Sequence, residues 1–210
     1  MTKVLVLFYS SYGHIHTMAQ AVAEGARQVP GVTVDVKQVP ETVPQEVRHN
    51  AGYQDFEVPV ATVAELETYD AIIFGTPSRF GNMAAQMKQF IDQCGGLWAR
   101  NAMVGKVGGV FTSTGSQHGG QESVILSFQI ALQHLGMLIA GMPYTFQEQT
   151  RIDHIIGGSP YGAGTVAGGA SELQPTETDL AGARFQGAHI AQIAARLVAT
   201  PSVTEQPELV

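Results

Sequence analysis

Val4-Leu5-Val6-Leu7-Phe8-Tyr9 is an unbroken apolar run, and it breaks at once into the polar, glycine-bearing Ser10-Ser11-Tyr12-Gly13-His14. A run without alternation fits a strand buried on both faces, as in a parallel sheet. Beyond the turn, Ile15, Met18, Ala19, Val22, Ala23 and Ala26 recur on one helical face, and Pro30-Gly31 ends that helix. Val32, Val34 and Val36 alternate with polar residues, so the second strand is half exposed and near an edge.

The rest of the chain repeats the unit. Ala71-Ile72-Ile73-Phe74-Gly75, Val107 to Phe111 and Met137 to Ala140 read as further strands. Met83, Met87, Phe90, Ile91 and Cys94 mark one helix face, and Val124, Ile125, Phe128, Ala131, Leu132 and Leu135 mark another. A last helix runs from about Glu177, capped by Thr176, to about Ala199, with Leu180, Ile190, Ala194 and Leu197 on its apolar face. Residues 40–61 and 141–175 show no period and are expected to be irregular excursions, the first leading to a short helix near Val63 to Glu67. Residues 1–199 are expected to form one domain and residues 200–210 a disordered tail. Five strands alternating with helices imply an α/β fold, a doubly wound five-stranded parallel sheet with helices on both faces.

Composition narrows the function. A net charge of −7 argues against nucleic acid, whose phosphates need a basic surface. One cysteine, Cys94, forbids an intrachain disulfide and favours a reducing compartment, so a cytoplasmic location is expected. Cys94 itself fits the apolar stripe as inert core. Met1-Thr2-Lys3 leads into an apolar run too short for a signal segment or a membrane span. The histidines and nearby acids show no metal-ligand spacing, and His14 and His16 are expected to be solvated or local turn residues.

Ligands of doubly wound sheets bind outside the carboxyl ends of the strands, which directs attention to three turns. Ser10 to Thr17 joins a strand to a helix N-terminus, where free N–H groups and the helix dipole favour an anion. The turn has hydroxyls but no Lys or Arg, and neither GxxxxGK[ST] nor GxGxxG. It could equally be an ordinary Ser/Gly turn. Gly75-Thr76-Pro77-Ser78-Arg79-Phe80-Gly81-Asn82 offers a ring and a planar cation, or else a core Phe80 and a solvated Arg79. Thr112-Ser113-Thr114-Gly115-Ser116-Gln117-His118-Gly119-Gly120 is dense in N–H groups and small hydroxyls that could read a heterocycle edge, or else is a flexible hydrophilic loop. A receiver domain would need acids after the first strand and an Asp ending the third; Tyr9-Ser10 and Gly75-Thr76 supply neither.

Taken together, Val4 to Ser10, Tyr12-Gly13-His14-Ile15, Phe74 to Pro77, Arg79 to Met83, Gly95-Gly96-Leu97-Trp98-Ala99, Ser113-Thr114-Gly115 and Gly158-Ser159-Pro160-Tyr161-Gly162 resemble the flavodoxin-like quinone reductases of the WrbA family, over nearly the whole chain to about residue 198. The resemblance implies bound FMN, NADH or NADPH as donor, a quinone as acceptor, and a homotetramer. Carried over residue by residue, it implies the FMN phosphate at Ser10, Ser11, Tyr12, Gly13, His14 and Ile15. It implies the isoalloxazine at Ser78, Arg79 and Phe80 and along Ser113, Thr114, Gly115, Ser116, Gln117, His118 and Gly119. Tyr12 falls at the nicotinamide site, Trp98 at the substrate site, and His134 near the flavin, where an imidazole could assist protonation. The loop Ser116–Gly120 is one residue longer than the family pattern.

Strand direction adds a constraint. The flavin belongs at the carboxyl edge, whereas Trp98 and His134 follow helices that run back to the opposite edge. Any flavin they reach therefore belongs to a neighbouring subunit. Without the resemblance, Trp98 reads as a packing anchor and His134 as a helix C-terminal residue. A flavodoxin-type one-electron carrier and a regulatory or scaffold flavoprotein are the alternatives to an enzyme.

Overall fold

The computed structural model describes residues 1–199. The expectation for residues 200–210 lies outside the described residues. Strands β1 (Thr2–Phe8), β2 (Val32–Gln38), β3 (Ala71–Pro77), β4 (Val107–Thr114) and β5 (Leu138–Ile139) form a parallel sheet in the order 2-1-3-4-5. β2 is the half-exposed edge that its alternation predicts.

Period-2 side chains divide the core between the two faces. Val4, Val6, Phe8 and Ile73 meet helix α1 (His14–Arg27) and the last helix, α6 (Glu177–Ala199). Leu5, Leu7, Ile72 and Phe74 meet helices α3 (Ala85–Asp92) and α5 (Gln121–His134). Helix α6 opens as expected. Thr176 Oγ1 accepts the Asp179 N–H (3.1 Å), and the Asp179 carboxylate accepts the Thr176 N–H (3.1 Å), which makes a reciprocal cap. Its far apolar residue Leu197 is half exposed rather than buried.

Four features depart from the sequence reading. The helix expected over Met83 to Cys94 is confined to α3, because the Thr76 hydroxyl accepts the Ala84 N–H (3.0 Å) and holds Ala84 extended. A separate short helix α4 (Gly95–Ala99) follows and carries Trp98. Within the 40–61 excursion lies a helix α2 (Gln45–Asn50), with Pro44 at its N-cap, and the short helix beyond it is a 3-10 turn, Ala64–Thr68. The fifth lane of the sheet is split. β5 has two residues, and β6 (Gly164–Val166) pairs with Thr112–Thr114 at the other end of β4. β3 occupies the opposite side of β4 throughout, so β6 continues the lane that β5 begins. Residues 140–163 are an insertion in that lane.

Cys94 is buried, and burial, with Asp92 nearby, pushes its thiol up to about 11. The thiolate is the reactive form. At pH 8 the native protein is expected to release no thiol to a disulfide reagent within minutes, and one per chain once denatured. Rapid native reaction would contradict this packing.

Candidate active site

The parallel register sets Phe8 beside Gly75 and Gly75 beside Phe111, so β1, β3 and β4 run out at the same edge of the sheet, β3 and β4 continuing to Pro77 and Thr114 beyond the level at which β1 stops. Gly75 is required there, because a Cβ would stand 2.2 Å from the Phe111 ring. The three following turns consequently emerge side by side. They enclose a cavity of about 160 Å³, lined by Ser10, Ser11, Tyr12, His14 and Ile15 from the first, Pro77, Ser78 and Arg79 from the second, and Ser113, Thr114 and Gly115 from the third.

The first turn is set by Gly13. It stands at φ +97° as the N-cap of α1, its N–H donates to Ser10 Oγ (3.1 Å), and no side chain caps the helix. The N–H groups of the first helical turn therefore need an external acceptor. His14 is not solvated. It is buried, with Nε2 bonded to the Leu173 carbonyl (2.8 Å). His16 is half-buried and stacks on Phe56 (4.5 Å between ring centres), and burial holds it below the usual imidazole range. Tyr12 lies at the rim, edge-on to Tyr53 (5.3 Å), and the Gln54 N–H donates to Ser11 O (2.8 Å).

In the second turn Arg79 is neither free nor fully solvated. Its guanidinium crosses to the first turn, with Nη2 donating to Ser11 Oγ (3.0 Å) and Nη1 to Ser78 O (3.1 Å). Phe80 is not core. It is fully exposed at φ +54°, a strained conformation held by the paired Arg79 and Asn82 backbones (2.7 and 3.1 Å). In the third turn Thr114 Oγ1 donates to Ser116 O (2.8 Å), and the Gln121 amide donates to Gln117 O (2.9 Å). This loop is bonded into shape. Gly119 is needed because a Cβ would meet Thr114 Cβ at 2.8 Å. Gln117 and His118 turn toward a neighbouring cavity of about 530 Å³ that extends to Ile156–Ser159. Ser116 is exposed.

A partly exposed carboxylate, Glu41, bonds the residue that leads into the first turn. Tyr9 OH donates to the Glu41 carboxylate (3.1 Å). Burial opposes the charged form of Glu41, but the N–H groups of Val43 and Thr42 and the Gln86 amide outweigh it and hold the carboxyl below its usual range. Burial, with Glu41 beside it, pushes the Tyr9 phenol up, so it remains a donor.

Trp98 and His134 stand elsewhere. Both are exposed, Trp98 at 60%, near the amino ends of the strands: the Asn101 N–H donates to Trp98 O (3.0 Å) and the Gly105 N–H to Gly136 O (3.0 Å), just before β4 begins. Sequence reasoning missed Ala167, Gly168, Gly169 and Ser171, which complete the cavity lining. Their one local signal was the Gly168-Gly169 pair. Among the described residues no group of three or more His, Cys, Asp or Glu could hold a metal ion, and no helix is long and apolar enough to cross a membrane.

Residues 2–150 match the family model of NADPH-dependent FMN reductase. The NAD(P)H dehydrogenase (quinone) of Paracoccus denitrificans is 63% identical over 202 residues, covering 95% of this chain and 97% of the relative. NAD(P)H dehydrogenase (quinone) 3 of Rhizobium meliloti is 60% identical, with both chains covered at 100%. Among solved structures, a WrbA-like flavodoxin from Agrobacterium tumefaciens superposes with a TM-score of 0.62 at 26% identity, over 93% of this chain and 99% of the other. The architecture is therefore flavodoxin-like, and by family match and by end-to-end identity the chain belongs to the NADPH-dependent FMN reductases, in their WrbA-like branch of NAD(P)H dehydrogenases (quinone).

Proposed function

We propose that this chain is an FMN-dependent NAD(P)H:quinone oxidoreductase that reduces quinones to hydroquinones two electrons at a time. The observation that carries the reading is the cavity itself. The uncapped first turn of α1, two serine hydroxyls and one guanidinium converge on it, beside the uncharged Ser113–Gly115 backbone. That donor set fits a phosphate at one end and a polar heterocycle edge at the other.

When bound, FMN supplies hydride transfer through flavin N5, in a ping-pong cycle. The protein binds and orients. Ser10 to Ile15 hold the phosphate. Ser78, Arg79 and Phe80, with the loop Ser113 to Gly119, frame the ring, and Tyr12 receives the nicotinamide. Trp98 and His134 act on the flavin of a neighbouring subunit in a homotetramer. Trp98 forms one side of a slot for flat rings, and His134 delivers a proton to the quinone oxygen. Their distance from their own cavity supports this arrangement, as do the exposed apolar side chains Leu126 and Ile130 on α5, the helix that ends in His134. Residues 1–199 act as one domain, and the lone reduced thiol of Cys94 supports work in the cytoplasm.

Anaerobic NADH, or NADPH, is expected to bleach the flavin absorbance of the FMN-loaded protein fully and rapidly, and benzoquinone to restore it as fast. Trp98→Ala is expected to keep its FMN and raise the KM for quinone several-fold. Tight FMN binding without reduction by either donor would point instead to a one-electron carrier. Unchanged quinone kinetics in Trp98→Ala would overturn the shared site.

A further inference from the structure

The three turns leave one side of the cavity to a segment distant in sequence. We propose that Ala167–Leu173 is a fourth wall of the FMN site and that the His14 side chain is the positioning group that holds it there. The inference rests on the reading of the cavity as an FMN site.

β6 delivers this segment along β4, and the Ala167 N–H continues the ladder to Thr114 O (2.8 Å). The chain then closes on itself. The Leu173 N–H returns to Ala167 O (2.9 Å), the Ser171 N–H bonds Gly168 O (3.2 Å), and the Glu172 carboxylate accepts the Ala170 N–H (2.9 Å). The result is a small closed loop fixed at its base. Gly168, Gly169 and Ser171 line the same cavity as Ser11 and Arg79.

The tie between this loop and the phosphate turn is His14. Its ring is 5% exposed, and Nε2 lies 2.8 Å from Leu173 O. A carbonyl oxygen only accepts, so Nε2 carries the proton and the tautomer is fixed. The residue resembles a cofactor contact by its place in the turn, yet its ring donates to the chain 159 residues away. The residues of this loop that line the cavity, Ala167, Gly168, Gly169 and Ser171, present backbone and one hydroxyl, while the Glu172 carboxylate is not part of the lining and is held by the Ala170 N–H. Gly168 stands at φ +80°, and a Cβ on Gly169 would meet open space. Such a surface suits the hydroxylated, phosphate-bearing part of FMN, which shares this cavity with Ser10 to Ile15. Phe80, beyond the cavity lining, is left to the ring.

The test uses the FMN-loaded full chain. Flavin release after dilution is followed by its fluorescence, and backbone hydrogen exchange is followed at Ala167–Leu173. His14→Leu is expected to release FMN roughly tenfold faster, the scale of one buried hydrogen bond, and to exchange faster at Ala167–Leu173. His14→Gln, whose side-chain amide can still reach the Leu173 carbonyl, is expected to restore most of both. Gly169→Val is expected to fold normally by circular dichroism and to lose FMN faster, because its side chain enters open space at the cavity wall. Wild-type release rates in both His14→Leu and Gly169→Val, or unchanged exchange in His14→Leu, would overturn the fourth wall alone. A wild-type chain that takes up no FMN would overturn the FMN reading together with it.

Discussion

Gly187→Leu is expected to destabilise the protein by about 3 kcal/mol or more, at the upper end of what overpacking costs. Helices α1 and α6 pack on the same face of the sheet, and they touch through glycine. A Cβ at Gly187 would stand 2.0 Å from Val22 O, and one at Gly25 would stand 1.8 Å from Arg184 O. Both obstacles are backbone carbonyls, so no rotamer change relieves them. Each glycine also costs its helix about 1 kcal/mol of propensity relative to alanine, and the close approach explains why neither is alanine. Urea denaturation measures the effect. The variant should also hold FMN less well, because α1 carries Gly13 at its start and would be pushed outward. A loss below about 1 kcal/mol would mean that the two helices separate easily.

The second large effect is expected at Asp179. Its side chain is 5% exposed and accepts from the Gly157 N–H (3.0 Å), Thr165 Oγ1 (3.0 Å) and the Thr176 N–H (3.1 Å). One carboxylate thereby ties the inserted segment, the split strand and the start of α6. Asp179→Ala leaves these donors without an acceptor, at about 1–3 kcal/mol for each that water cannot reach. A total near 3 kcal/mol is expected in urea titration, with new proteolytic cleavage inside residues 140–163. Asp179→Asn should be costly as well, since its amide would set a donor against a donor. Gln186 makes a parallel tie, accepting from the Ala163 N–H (3.0 Å) and donating to Val110 O (3.0 Å), and would still anchor the insertion. If Asp179→Ala loses under about 1 kcal/mol, water has taken the place of the carboxylate.

The elements that could be read from the sequence share one property: burial dictated their pattern. Val4 to Tyr9, Ala71 to Gly75 and Val107 to Phe111 are apolar throughout because both faces are covered. Glu177–Ala199 declared its start through Thr176. Strand order then brought the three turns to one edge, which is why Ser10 to Ile15, Ser78, Arg79 and Ser113 to Gly115 meet in one cavity. The features that escaped have other causes. Gly164-Thr165-Val166 is too short for any period to show. The break before α3 is made by a bond from the Ala84 N–H to Thr76, eight residues back. Phe80 looks like core by type and is exposed because its turn is strained. The wall at Ala167–Ser171 depends on the partner of His14, and no local pattern encodes a contact across 159 residues.

The split fifth lane has a further consequence, for how molecules of this protein meet one another. An edge strand is a template that other chains can extend, and proteins blunt such edges by keeping them short or irregular. On this side the sheet ends in two residues and, beyond the insertion, three more. Neither piece offers enough consecutive N–H and C=O groups to seat a foreign strand. At the opposite edge β2 is seven residues long, but it alternates Asp35 and Lys37 with its valines, and the Gln38–Val60 bridge covers its end. Both margins of the sheet are thus poor sites for strand addition, and the protein is expected to tolerate high concentration without forming fibres.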